Sequence, residues 1–331
     1  MSVDGYILLV RIQRLGLLVL PILVACPSAG PEFSVLVEDL PGGTLLSGWS
    51  DGDDTIVVGG QLGSGPGVLV HLREGSLCVE EDVSDRALWW IHGSREGEWY
   101  AVGEAGTVLH EVDGERMVED LPTDATLFGV FDDGVAVWAV GGSFVNGSVG
   151  EIWVRRDGAW TLMAGDLPGV VFKVWEGWFV GDGVAWRLGE GDSLEPVDLG
   201  GEKVLTIRGR DQEDDLWAVG GYGTPVVLHG GAGGWSDVSA AGLDQPLNGV
   251  WTAPGEPVWV AGMRGLVAWS SDGQEWTQPD ERPSSKDLHA VWKHGDDMLF
   301  IGGDLLGGED QRGVIVRWGL PAAEVVPEDC P

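Results

Sequence analysis

The stretch "VWAVGG" at Val137–Gly142 returns as "LWAVGG" at Leu216–Gly221, and looser copies run along the chain. They read "TIVVGG" (Thr55–Gly60), "WYAVG" (Trp99–Gly103), "WFVG" (Trp178–Gly181), "VWVAG" (Val258–Gly262) and "LFIGG" (Leu299–Gly303). The first glycines fall at 59, 103, 141, 181, 220, 262 and 302, so successive copies lie 38 to 44 residues apart. A fixed period near 40 residues marks repeated supersecondary units, which must stack on one another to bury their apolar faces.

Each period holds four extended segments. An opening strand of the form Leu-x-x-Val-Trp, as in "LNGVW" (Leu247–Trp251) or "LHAVW" (Leu288–Trp292), precedes the glycine-ended strand. A third strand such as "TVLHEV" (Thr107–Val112) follows, then an Asp-Gly pair at 113–114, 157–158 or 272–273, then a fourth strand. Asp-Gly supplies the positive φ angles of two-residue turns, so strands three and four are expected to form hairpins. Aromatic and β-branched residues dominate and no helical period is present. Four short strands, seven times over, predict an all-β fold: a seven-bladed β-propeller of four-stranded antiparallel blades.

The chain ends specify how the ring closes. The seventh repeat stops at its third strand, "GVIVRWG" (Gly313–Gly319), while the chain opens on "FSVLVEDLP" (Phe33–Pro41) with no strands before it. Its "LVEDLP" (Leu36–Pro41) matches "MVEDLP" (Met117–Pro122), a fourth strand two periods away. The N-terminal strand is therefore expected to complete the last blade, with Ser34–Glu38 pairing beside Val314–Arg317.

The "VWAVG…G…DG.W" pattern resembles exported bacterial propellers related to photosystem II assembly-factor and Asp-box repeats, over about residues 33–319. "SSDGQEW" (Ser270–Trp276) resembles an Asp box one residue short, and the glycine pair ending strand two is also a kelch feature. Such families include binders, assembly factors and enzymes, so the resemblance implies the fold and leaves activity open.

The 331 residues carry a formal charge of −34, which disfavours nucleic acid and lipid headgroups as direct partners. Arg11 and Arg14 precede an eleven-residue apolar run, Leu15 to Ala25, which is too short to span a bilayer. The tetrad Leu23-Val24-Ala25-Cys26 resembles a lipobox, with Cys26 the lipidated residue. The expected organisation is a lipoprotein signal peptide (1–25), a tether (26–32), the propeller (33–319) and a tail (320–331). The protein is then exported and lipid-anchored in the cell envelope, at the outer membrane if the source is Gram-negative. Cys78 and Cys330 remain as a candidate disulfide, since both should lie near one face of the adjoining first and last blades.

Strand order also predicts two faces. Turns joining strands one to two share the face at which Phe33 enters, so they should face the membrane; turns joining two to three face away. The membrane-side turns are acidic, and Asp51, Asp53, Asp211 and Asp215 are weak calcium candidates set against an ordinary solvated turn. Three outward loops are long: 59–67, 141–150 and 302–313. Their residues Gln61, Phe144, Asn146, Leu305, Leu306 and Arg312 are candidate partner contacts. His71, His110 and His229 mark a repeat position in third strands rather than a metal set. At the fifth position of the inner strand, Trp49, His92, Phe131, Trp175, Arg208, Trp251 and Trp292 line up, so His92 and Arg208 break an aromatic rule. Lys173 is placed to reach the channel.

A monomeric binding platform for a protein or glycan, working through the outward loops with no cofactor, is the leading expectation. One alternative is a glycoside hydrolase or lyase using His92, Arg208 or Glu104. The other is a structural scaffold with a calcium site.

Overall fold

The computed structural model describes residues 30–330 apart from 52–53, 64, 74, 146, 211–214, 309 and 322–324. Seven antiparallel sheets follow one another along the chain. Their inner strands are Thr44–Asp51, Leu88–Arg95, Thr126–Asp132, Val171–Trp175, Val204–Gly209, Leu247–Trp251 and Asp287–His294. Each inner strand contacts the next, and the seventh contacts the first, so the sheets form a closed ring of seven blades. Apolar clusters lie between consecutive blades. Val57, Leu299, Ile301 and Ile315 share one cluster, for example, and Trp178, Val180, Ile207 and Ala218 another.

The expected closure is present. Glu32–Leu40 pairs antiparallel with Gly313–Gly319, with Ser34 opposite Arg317, Val35 opposite Val316 and Val37 opposite Ile315. The expected Cys78–Cys330 disulfide is also present, beside a strand pairing that was not anticipated. Val326–Pro327 adds to the outer strand Ser76–Ser84 of blade 1 as a short parallel fifth strand. Cys330 is joined by a disulfide to Cys78 of that same strand, with Cα atoms 5.2 Å apart. Both chain ends therefore cross the junction of blades 7 and 1 and cover edges that would otherwise be exposed.

Two blade details depart from the sequence pattern. Asp113-Gly114 and Asp157-Gly158 have φ of 51° and 82°, and 51° and 80°, as two-residue hairpin turns require. Asp272-Gly273 does not form such a turn. The Ser270 hydroxyl accepts from Gly273 N–H at 2.8 Å, and Asp272 accepts from Gln274 and Glu275 N–H at 2.8 and 3.0 Å. That Asp-box-like turn leads to a fourth strand of blade 6 reduced to a single bridge, Trp269 to Thr277. Pro279 and Pro283 follow, and proline cannot donate to a ladder.

Candidate functional site

All seven inner strands carry a register shift at the same place: the ladder skips Leu46, Trp89, Phe128, Phe172, Leu205, Asn248 and His289. A β-bulge sets two residues of one strand against one of its partner and re-aims a side chain. The aromatic rings among the skipped residues meet one another. Trp89 packs edge-on to Phe128 at 4.9 Å, Phe128 to Phe172 at 5.4 Å, and Trp89 to His289 at 5.9 Å. Blades 7 and 2 are separated by blade 1, so the Trp89–His289 contact is made inside the ring, across the front of blade 1. The bulges thus gather an aromatic mouth at the end of the channel where strands two and three are joined.

Below the mouth the channel is filled. Lys173 lays its ammonium over Trp90 at 3.9 Å and donates to the Phe128 carbonyl at 2.5 Å. Arg208 lies among three indoles, Trp175, Trp251 and Trp292, at 4.7, 5.4 and 4.6 Å, and its Nε donates to Thr252 O at 3.2 Å. His92 packs on Phe131 at 4.5 Å and accepts the Asp132 N–H at 3.1 Å. The three sequence candidates His92, Lys173 and Arg208 line one cavity of about 20 Å³, room for roughly one water. Burial pushes Lys173 down to about 7 and Arg208 to about 9, the latter partly offset by Glu176. Burial, with Arg208 nearby, pushes His92 down to about 3, and burial near Lys173 does the same to His289. Both imidazoles are therefore neutral. Glu104 is not in the channel: it lies in the turn after the second strand of blade 2 and accepts the Gly63 N–H at 2.9 Å. An enzyme built on His92, Arg208 and Glu104 is thus not assembled, and the cavity is too small for a sugar ring.

The outward rim is better formed. The long loops of blades 1 and 7 are tied together: Gln61 Nε2 donates to Gly308 O at 3.3 Å and Leu62 N–H to Gln311 Oε1 at 2.7 Å. Leu306 is 84% exposed at its tip, while Leu305 is half-buried. Arg312 is half-buried, and its N–H donates to Asp304. In blade 3, Phe144 is 53% exposed and lies 6.2 Å from Phe172, which extends the mouth outward. Asn146 lies outside the described residues. Sequence reasoning placed Tyr222 in an outward loop but missed Trp89, Phe128 and Phe172 as members of this face. Tyr222 is exposed, with the Lys203 ammonium 4.3 Å above its ring. No shared residue type marks the bulge, so only the repeat register could have found those three.

On the opposite face the acids have structural work. Asp133 accepts the indole N–H of Trp138 at 3.0 Å, and Asp215 accepts the indole N–H of Trp217 at 3.0 Å and lies 2.9 Å from the imidazole Nε2 of His229. His71 is held between Asp54 and Glu80 at 3.1 and 2.9 Å, and His110 between Glu98 and Glu119 at 3.1 and 3.3 Å. Of the calcium candidates, Asp53, Asp211 and the side chain of Asp51 lie outside the described residues, and Asp215 is engaged as above. Among the described residues no group of three or more His, Cys, Asp or Glu is placed to hold a metal.

These features define a seven-bladed β-propeller with a filled channel and a built-up aromatic mouth. No family model matches the chain, and no curated protein does. Solved structures do. The structure described as YCF48 bound to D1 peptide aligns with a TM-score of 0.62 at 19% identity, over 90% of this chain and 99% of that one. YCF48 from Cyanidioschyzon merolae gives 0.61 at 14% identity, over 88% and 99%. At these identities the shared property is the fold.

Proposed function

We propose that this protein is a lipid-anchored envelope platform that binds a protein partner, as an extended segment, on its outward aromatic mouth. The mouth itself carries the reading: seven bulges at one repeat position place Trp89, Phe128 and Phe172 together, with Phe144 above them. The Trp89 and Phe128 rings are half-buried, so each keeps part of its surface open to a partner. Aromatic anchors of this kind dominate protein interfaces. The filled channel leaves the surface as the place for recognition. The YCF48 structure with a D1 peptide gives a propeller of this fold that holds a peptide.

The anchor rests on the lipobox-like tetrad ending at Cys26. Glu32 stands opposite Gly319, at the face of the one-to-two turns, so a tether of a few residues would hold that face to the membrane. Phe144→Ser combined with Leu306→Ser changes exposed residues only and should abolish partner capture from envelope extract, with the fold intact by circular dichroism. Unchanged capture would refute the site. Separately, Cys26→Ser should release the protein from membranes, and retention there would refute the anchor.

A further inference from the structure

The bulged positions that build the mouth are aliphatic or aromatic in blades 1 to 5 and polar in the last two, Asn248 of blade 6 and His289 of blade 7. The inner strands of these blades are in contact. The Asn248 amide nitrogen donates to Leu288 O, the carbonyl next to His289, at 3.0 Å. The polar groups therefore lie on one side of the mouth, and Trp89 packs edge-on to His289 beside them.

The side-chain donors around this opening are committed to backbone carbonyls. Lys173 donates to Phe128 O, Thr206 to Asn248 O, Asn248 to Leu288 O and His289 to Leu46 O. The last of these bonds fixes a tautomer. A carbonyl oxygen only accepts, so His289 Nδ1 carries the proton and Nε2 of the neutral ring is a bare acceptor. Asn248 Oδ1 is an acceptor too, because the amide nitrogen faces Leu288 O and the Met263 sulfur. Neither Nε2 nor Oδ1 takes a donor among the described residues, and neither is sealed from solvent.

Such a pair of acceptors is selective. A carboxylate would set its lone pairs against theirs. Burial first, and Lys173 second, already keep a proton off His289, and they oppose an ammonium or guanidinium guest in the same way. An apolar guest would cover both acceptors and leave them unpaired, which is costly. An uncharged N–H donor meets none of these objections, and the carboxamide is the uncharged side chain that carries two.

Resting on the mouth as the docking surface, we propose that His289 and Asn248 set its specificity. The bound segment inserts an asparagine or glutamine side chain that donates to His289 Nε2, and Asn248 Oδ1 takes a second donor from the same segment. The aromatic rings hold the segment, and the two acceptors select its sequence.

The probe is a library of random dodecapeptides on phage, panned against the full-length protein and counter-selected on Phe144→Ser/Leu306→Ser. Peptides that depend on the mouth should share an Asn or a Gln. Replacing that residue by its uncharged apolar isostere, Leu for Asn or Met for Gln, should weaken binding by about tenfold to a hundredfold. His289→Phe should weaken the parent peptide similarly and bring the amide and apolar forms to nearly equal affinity, with circular dichroism reporting the fold. No peptide dependent on Phe144 and Leu306 would overturn the mouth as a docking surface, and this specificity with it. Mouth-dependent peptides that lack an amide, or that bind as well with the isostere, would leave the mouth standing and overturn the role of His289 and Asn248. Should His289→Phe fail to fold, the isostere comparison on the wild-type protein decides.

Discussion

Phe33 stands directly opposite Trp318 in the ladder that joins the start of the ring to its end, with its ring 5.9 Å from Phe300 and 6.4 Å from Trp269. One side chain therefore binds the N-terminal strand to blades 6 and 7 at once. Phe33→Ala should destabilise the protein by about 2–4 kcal/mol, towards the lower end for a partly buried ring. Deleting residues 32–40 should expose the edge of Gly313–Gly319 and cause aggregation. Urea denaturation and light scattering read these outcomes; a Phe33→Ala midpoint equal to wild type would show that the strand does not seal the ring.

The second latch is covalent. Cys78–Cys330 bridges positions 252 residues apart. Reducing it, or substituting Cys330→Ser, should lower stability by about 2–5 kcal/mol. The double variant Cys78→Ser/Cys330→Ser should match either single one, because there is only one bond to lose. Calorimetry with and without a reductant measures the effect.

Lys173 sets a pH dependence on the alkaline side. Its folded value of about 7 lies below the usual lysine value of 10.5, so between these the unfolded chain binds the proton more tightly. Stability should rise from pH 7 towards pH 10, by on the order of a few kcal/mol from this group. Lys173→Met should flatten that rise and raise Tm at pH 7. A Tm–pH curve identical in the variant would contradict the burial of a charge there.

His92 and His289 act on the acid side. Both are held near 3, below the ordinary 6.5, so stability should fall as pH drops from about 6.5 towards 3. His92→Phe, which restores the aromatic pattern of its repeat position, should be the more stable form at pH 4. His71 has the opposite sign. Burial alone would lower it, but Asp54 and Glu80 outweigh burial and raise it. Its contribution is full below pH 6.5 and is lost as pH rises through the raised value, so His71→Gln should cost more at pH 6 than at pH 9.

Much of the fold was legible because repetition needs no geometry: glycines spaced near 40 residues counted the blades, and "LVEDLP" against "MVEDLP" located the closing strand. What stayed hidden depends on register and partners. Leu46, Trp89, Asn248 and His289 share no chemistry, so the bulge that makes the mouth leaves no residue signature. Asp133 and Asp215 looked like solvated turns because their indole partners, Trp138 and Trp217, begin the next strand. The Asp-Gly at 272–273 misled because Ser270 and Asp272 capture the backbone N–H groups that a two-residue turn would leave free. Lys173, Arg208 and His92 were named as channel candidates and line one cavity, but their sequence positions could not show that the surrounding tryptophans leave so little space.

Which face meets the partner is the deciding question. Photo-crosslinking residues placed singly at Phe144, Leu306 and Val135 decide it, because Val135 is 89% exposed in a one-to-two turn on the other side of the ring. The prediction is one protein adduct, formed from Phe144 and Leu306 and lost when Trp89→Ala is added, with none from Val135. An adduct from Val135, or none from the outward pair, would contradict it.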